Sequence, residues 1–178
     1  MTPHVRTAHT AELSTPTLRA IRGLLGLAEH DWDHTLGGLH TMVWDSDSDS
    51  GGERLIAHGA VVQRRLIHAG RALRTGYVEA LGVHPDHRGR GHGRTVTGVL
   101  ERVIAAAYDL GALSARPGTA PYWQDRGWQP WQGRTWALTP MGIARTEEWD
   151  GTVHILPGPV PLDTTGELVC DWRDGDIW

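Results

Sequence analysis

Phenylalanine is absent from this 178-residue chain, and cysteine occurs once, at Cys170. A single cysteine excludes an intrachain disulfide and any zinc site built on several thiolates. With no phenylalanine and three tyrosines, the aromatic share of a core passes to nine tryptophans. Most of these are expected to fill the interior; one or two could line a cleft, because an indole stacks on sugar faces. Basic excess is missing too, with a formal charge of −4 and a pI near 6.2. That balance argues against a nucleic-acid binder and suits a small cationic ligand better. No apolar run approaches membrane-spanning length, and Met-Thr-Pro-His-Val-Arg lacks the apolar core of a leader, so a cytoplasmic location is expected. Eleven histidines are scattered without the spacing of a zinc helix. No metal is expected, and His84, His87 and His92 are expected at the surface.

What is present reads as one domain over 1–178, long enough for a proper core and without a linker. Ser14-Thr15-Pro16 has the form of a helix start, and Leu18, Ile21 and Leu25 then share a helical face. A short helix is predicted over 31–36, stopped by Gly37-Gly38, then a strand over 41–44 and a polar hairpin loop over 45–52. That loop has spaced acids but not the full calcium-loop pattern. Extended runs over 55–68 and 72–83, turned at Ala69-Gly70, predict an antiparallel meander. Val96, Val99, Leu100, Val103, Ile104 and Ala107 recur at helical spacing, with Gly111 placed to end the helix. Strands are predicted over 112–115, 127–138 and 151–156, with a short helix over 122–125.

Between the strand-like run 77–83 and the periodic helix stands Arg88-Gly89-Arg90-Gly91-His92-Gly93. Its glycines allow tight turning, so that successive N–H groups can converge beside the positive end of a helix and bind a pyrophosphate. The Gly-Lys-Ser/Thr ending of a Walker loop is absent. A Rossmann loop calls for strands alternating with helices, whereas the strands here are joined by short turns. A glycine-rich turn with no ligand stays open, though Arg88, Arg90, His92 and Arg94 crowd this one.

The strand, the Arg-x-x-Gly-x-Gly loop and the helix together resemble motif A of the GCN5-related N-acetyltransferase superfamily. The resemblance implies a mixed, mostly antiparallel α/β sheet with helices on both faces. It further implies that the loop 88–93 holds the pyrophosphate of acetyl-coenzyme A, and that Leu81, Gly82 and Val83 run beside its pantetheine arm. Asp31-Trp32-Asp33-His34-Thr35-Leu36-Gly37-Gly38-Leu39-His40 narrows the likeness to the aminoglycoside 2′-N-acetyltransferases. So do Gly76-Tyr77-Val78-Glu79, Leu110-Gly111-Ala112-Leu113-Ser114, Tyr122 with Gly127-Trp128, and the acid-rich stretch from Cys170 to Trp178. A polyamine sugar wants carboxylates around it and a base for its reacting ammonium. Two-residue alternation places Glu79 on the face of Leu81 and Val83, where it could serve as that base, directly or through water; pairing with an arginine is its structural alternative. Tyr122 resembles the family tyrosine that protonates the departing thiolate; packing on Trp123 is the alternative. The resemblance assigns the acceptor site to Asp31, Glu79, Ala80, Ser114, Trp149, Asp150, Asp176 and Trp178, the last through its α-carboxylate. It also implies a homodimer.

Two departures from this family bear on the acceptor. A Gly-Asp-Phe element before Asp31 is replaced by the shorter Leu25-Gly26-Leu27-Ala28-Glu29-His30, and an acidic run reads Glu147-Glu148-Trp149-Asp150. Each removes an ammonium partner, and a charge-assisted hydrogen bond is worth roughly 1.5–3 kcal/mol. A substrate with fewer amines, such as kasugamycin, is expected. The rivals are acetylation of another small amine and non-catalytic binding of acetyl-coenzyme A or an aminoglycoside.

Overall fold

The computed structural model describes residues 3–46 and 51–178, which fall into two compact units, 1–62 with 78–102 and 63–77 with 103–178. In the first unit, β1 (His4–His9) leads to α1 (Thr15–Leu25) and α2 (Glu29–Asp33), followed by β2 (Leu39–Ser46) and the first part of β3 (Glu53–His68). β2 pairs antiparallel with both β1 and β3. The start of α1 follows its sequence: the Ser14 hydroxyl accepts the Thr17 N–H at 3.3 Å, and Pro16 needs no partner in the first turn. Gly26, at φ 59°, ends it.

α2 covers 29–33 and not the predicted 31–36; it stops early where Thr35 turns inward and its hydroxyl donates to the Trp32 carbonyl at 2.7 Å. Residues 34–38 then tighten into turns. Ile21, Trp32, Met42 and Leu55 meet Ala8 in a core covered by Leu18, Leu24 and Trp44. Each large side chain so buried contributes about 1.5–3 kcal/mol before entropy is set against it. Of the loop expected over 45–52, Asp45 and Ser46 belong to β2, and 47–50 lie outside the described residues. The β2–β3 register slips once: Val43 opposes Ala57 but Trp44 opposes Leu55, leaving Ile56 as a bulge.

The predicted turn after β3 is observed. Ala69 and Gly70 have φ 48° and 74°, the left-handed pair of a type I′ hairpin leading into β4 (Arg71–Val83). Beyond β4 a short helical turn, Pro85–His87, precedes α3 (His92–Ala107). In the first unit α3 lies directly on β3: a Cβ at Gly59 would stand 2.8 Å from Val96 Cγ1 and 3.0 Å from Leu100 Cδ1.

The second unit adds β5 (Leu110–Ser114), α4 (Ala120–Gln124), β6 (Gln129–Pro130), β7 (Thr135–Thr139), β8 (Gly142–Arg145), β9 (Val153–Leu156) and β10 (Leu168–Asp171). Its strands lie in the order β6-β9-β5-β4-β3-β10-β7-β8. β4 with β5 and β10 with β7 are parallel, while β5–β9, β6–β9, β10–β3 and β7–β8 are antiparallel.

Two expectations need correction. The strand over 127–138 is two, β6 and β7. Between them the N–H groups of Gln132 and Gly133 turn to the Thr164 carbonyl, and the buried Trp131 indole donates to Gly166 O at 3.0 Å. Gly111 does not end α3; it sits inside β5 opposite Leu156. A Cβ there would be 3.0 Å from Leu156 Cβ and 3.1 Å from Ile104 Cγ2, so close packing, not chain reversal, calls for glycine. β1, β8 and β10 were not anticipated. They are four to six residues long and owe their existence to strands already in place beside them.

Candidate active site

The glycine loop is built on a short tether. Arg88 folds back so that its Nε–H donates to the carbonyl of Val83, the last residue of β4, at 3.2 Å. Gly89 and Gly91 then take φ 73° and 87°, a region that costs other residues about 1–2 kcal/mol. A Cβ built on either would meet nothing within 4 Å, so open space lies over this backbone. α3 starts at His92; Thr95 N–H bonds the Gly91 carbonyl at 3.0 Å, and the N–H groups of 92–94 before it have no intrahelical acceptor. Two left-handed glycines, the positive end of a 16-residue helix and open space suit an anionic diphosphate. The ring of His87 stands 5.7 Å from that of His84 and 6.2 Å from that of His92. All three are half-buried.

Upstream, β4 is kinked. Ala80 has φ 52° inside an otherwise extended strand. Strict alternation does not carry across such a residue, so the count that put Glu79 on the face of Leu81 and Val83 fails between them. Leu81 packs with Val96 and Leu100 around Gly59, and Leu25 of α1 covers Gly82 so closely that a Cβ there would displace it. Glu79, Leu81, Gly82 and Val83 are all half-buried.

A chain of side chains with no signature in the sequence holds the kink. The Ala80 carbonyl lies 2.9 Å from Nδ1 of His58, whose Nε2 lies 2.9 Å from Nδ1 of His40, whose Nε2 lies 2.8 Å from the Thr10 hydroxyl. Both imidazoles are fully buried. Burial lowers the pKa of His40 to about 4 and that of His58 to about 3, the latter against the opposing effect of the Ala80 hydrogen bond. Both are neutral near pH 7. No spacing rule separates these two histidines from the other nine in the sequence.

In the second unit, four expected acceptor residues share one hydrogen-bonded region. Ser114 Oγ donates to Thr152 Oγ1 at 3.2 Å, which donates to the Trp149 carbonyl at 2.8 Å. The Trp178 side chain is 2% exposed, and its Nε1–H donates to Thr146 Oγ1 at 2.9 Å. Thr146 donates to Thr135 Oγ1 at 3.0 Å, and Thr135 reaches Asp150 Oδ1 at 2.9 Å. Asp150 also accepts the Thr135 N–H and is paired with the Arg145 guanidinium. Its carboxylate is therefore engaged by the fold. Asp176 is exposed and Asp31, in α2, is half-buried. Tyr122 packs edge-on against Trp123 at 5.1 Å, with the Arg126 guanidinium 5.9 Å from its ring. Cys170 is buried as expected, and burial raises its thiol to about 11.

The Arg145 hydrogen bond, with those from Thr135, holds Asp150 down at about 2, below its ordinary 3.8. A depressed carboxylate stabilises the fold fully above its unfolded value, and that contribution is lost as pH falls through the folded one. The thermal midpoint should therefore drop between pH 3.8 and about 2, and Asp150→Asn should flatten this part of the profile. An unchanged acid limb in the variant would exclude the pair as a determinant.

Residues 8–128 match the acetyltransferase (GNAT) family model. An aminoglycoside 2′-N-acetyltransferase of Mycolicibacterium fortuitum is 43% identical, the alignment covering 97% of this chain and 91% of the relative. Among solved structures, Escherichia coli ElaA is similar with a TM-score of 0.61 at 15% identity, covering 87% of this chain and 99% of that one. An acyl-CoA N-acyltransferase from Pseudomonas aeruginosa has a TM-score of 0.59 at 14% identity, with 87% and 99% covered. These two support the fold alone. The left-handed loop at the head of α3, the mixed sheet and the near full-length relative lead to one assignment: this chain belongs to the acetyltransferase (GNAT) family, among the aminoglycoside 2′-N-acetyltransferases.

Proposed function

We propose that this protein, as one domain over 1–178, transfers an acetyl group from acetyl-coenzyme A to the 2′-amine of an aminoglycoside. The observation that carries the donor is the open loop at Gly89–Gly91, which fits a diphosphate at the head of α3. The residues 88–93 would hold the pyrophosphate, and the backbone of Leu81–Val83 the pantetheine arm. Acetyl-coenzyme A supplies an acetyl thioester, already activated for attack by an amine.

Glu79 takes the proton of the acceptor ammonium, directly or through a water, leaving a nucleophilic amine. Tyr122 returns a proton to the thiolate. Asp31, Ala80, Ser114, Trp149, Asp176 and Trp178 frame the amino sugar; Asp150 contributes by holding Thr135 behind Trp178. No residue forms an acyl intermediate. The family's homodimeric state and a cytoplasmic location complete this reading.

The short 25–30 segment and Trp149 favour an acceptor with few amines, and kasugamycin is the proposed substrate. Free-thiol release from acetyl-coenzyme A should be efficient with kasugamycin and at least tenfold poorer in kcat/KM with gentamicin, tobramycin and ribostamycin. Efficient turnover of those three would remove the kasugamycin assignment. Drug binding with no thiol release from any amine would replace catalysis by sequestration.

A further inference from the structure

A carbonyl turned out of a strand by a left-handed residue needs a new donor, since a buried acceptor left unpaired costs about 1–3 kcal/mol. At Ala80 that donor is fixed by elimination. The carbonyl can only accept, so Nδ1 of His58 must carry the hydrogen. In a neutral imidazole Nε2 then has only a lone pair. Its neighbour, Nδ1 of His40, must therefore donate, which leaves Nε2 of His40 to accept the Thr10 O–H at 2.8 Å; the Gly38 carbonyl, 3.2 Å from that hydroxyl, already accepts the Thr10 N–H. Every hydrogen in the chain Thr10–His40–His58–Ala80 points the same way, and each group has a partner. The reverse direction would set a lone pair of His58 against the lone pairs of the Ala80 carbonyl.

The chain ties the turn after β1 to three strands. Thr10 follows β1, His40 lies in β2, His58 in β3, and Ala80 stands immediately before Leu81 in β4. Two neutral imidazoles at fully buried positions are an expensive way to fill space that leucine would fill. Their geometry serves the kink.

We propose that His58, braced by His40 and Thr10, is a positioning residue for acetyl transfer: it sets the Ala80 kink and thereby the direction of the Leu81–Val83 backbone toward the thioester. This rests on the acetyl-transfer reading above. The role is indirect, because His58 acts on the backbone and not on the reacting atoms.

The test compares His58→Leu, which removes the donor, with His58→Asn, whose side-chain amide can place an N–H near the position of Nδ1. Thr10→Val, at the outer end of the chain, serves as the variant that folds if the buried ones do not. Three quantities are read: histidine ¹⁵N shifts, kcat for acetyl transfer, and Kd for coenzyme A, which lacks the acetyl group. His40 and His58 should both show protonated Nδ1 and bare Nε2 at pH 7. His58→Leu should lower kcat tenfold or more with Kd for coenzyme A within about twofold, and His58→Asn should recover most of that loss. Thr10→Val should lower kcat by about two- to fivefold.

A bare Nδ1 on either histidine overturns the hydrogen-bond direction. A folded His58→Leu at wild-type kcat, or an Asn variant as impaired as Leu, overturns the positioning role. If neither buried variant folds, an unchanged kcat in Thr10→Val overturns it. Absence of acetyl transfer by the wild-type protein to any amine is a separate failure, that of the underlying reaction, and takes the positioning role with it.

Discussion

Trp178→Ala lowers the thermal midpoint by roughly 10 °C: truncating a buried tryptophan costs about 3–5 kcal/mol, and each kcal/mol shifts a domain of this size by about 2–4 °C. The magnitude follows from the side chain being 2% exposed, with its Nε1–H bonded to Thr146 Oγ1. Removing the indole leaves a cavity and strips Thr146 of its donor. Trp178→Phe separates the two effects, because it keeps most of the buried area and loses only the N–H, at about 0.5–1.5 kcal/mol. The midpoint should then fall by only a few degrees. Differential scanning calorimetry would measure both. A Trp178→Ala midpoint within 2 °C of wild type would mean that the docked side chain contributes nothing to the fold. On the proposed function, the same substitution also weakens acceptor binding, since Asp176 loses its anchored neighbour.

The second large effect is on the proposed chemistry. Glu79→Gln keeps the shape of a half-buried strand residue and removes its ability to take a proton. Turnover should fall by about 10²–10⁴-fold, the range in which a positioned general base contributes. Acetyl-coenzyme A binding should be unchanged, because the loop 88–93 and the Leu81–Val83 backbone are untouched. The thermal midpoint should move little. Thiol release under saturating donor and acceptor, with calorimetric titration of coenzyme A, gives both numbers. Unchanged turnover would remove Glu79 from the mechanism and leave deprotonation to solvent or another carboxylate.

The glycine loop was legible before any coordinates because its signal is local. Left-handed φ at Gly89 and Gly91 is available to glycine at little cost, and the 96–107 periodicity announces the helix that follows. The hairpin at Ala69-Gly70 and the Ser14 cap were legible for the same reason. Gly111 was misread because the same residue type answers two demands, reversing a chain and clearing room for a neighbour. Only the positions of Leu156 and Ile104 distinguish them.

The kink at Ala80 lay outside any local rule. Alanine has no preference for φ 52°, and the hydrogen bond that satisfies the turned carbonyl comes from His58, 22 residues away. The strand alternation applied to Glu79 assumed a regular β4, and a left-handed residue interrupts it. Asp150 shows the same limit. The family resemblance placed it in the acceptor site, and its engagement by Arg145 and Thr135 is visible only in the fold.

By itself, then, the sequence determined the glycine loop, the helix behind it, the meander before it and the kinship to aminoglycoside 2′-N-acetyltransferases, through backbone preferences and motifs that span a few residues. The tertiary structure decided the rest: the kink in β4 and its two neutral histidines, the buried seat of Trp178, and the engagement of Asp150. Those features depend on hydrogen bonds between residues 5 to 32 positions apart, and their partners become identifiable only when folding brings them together.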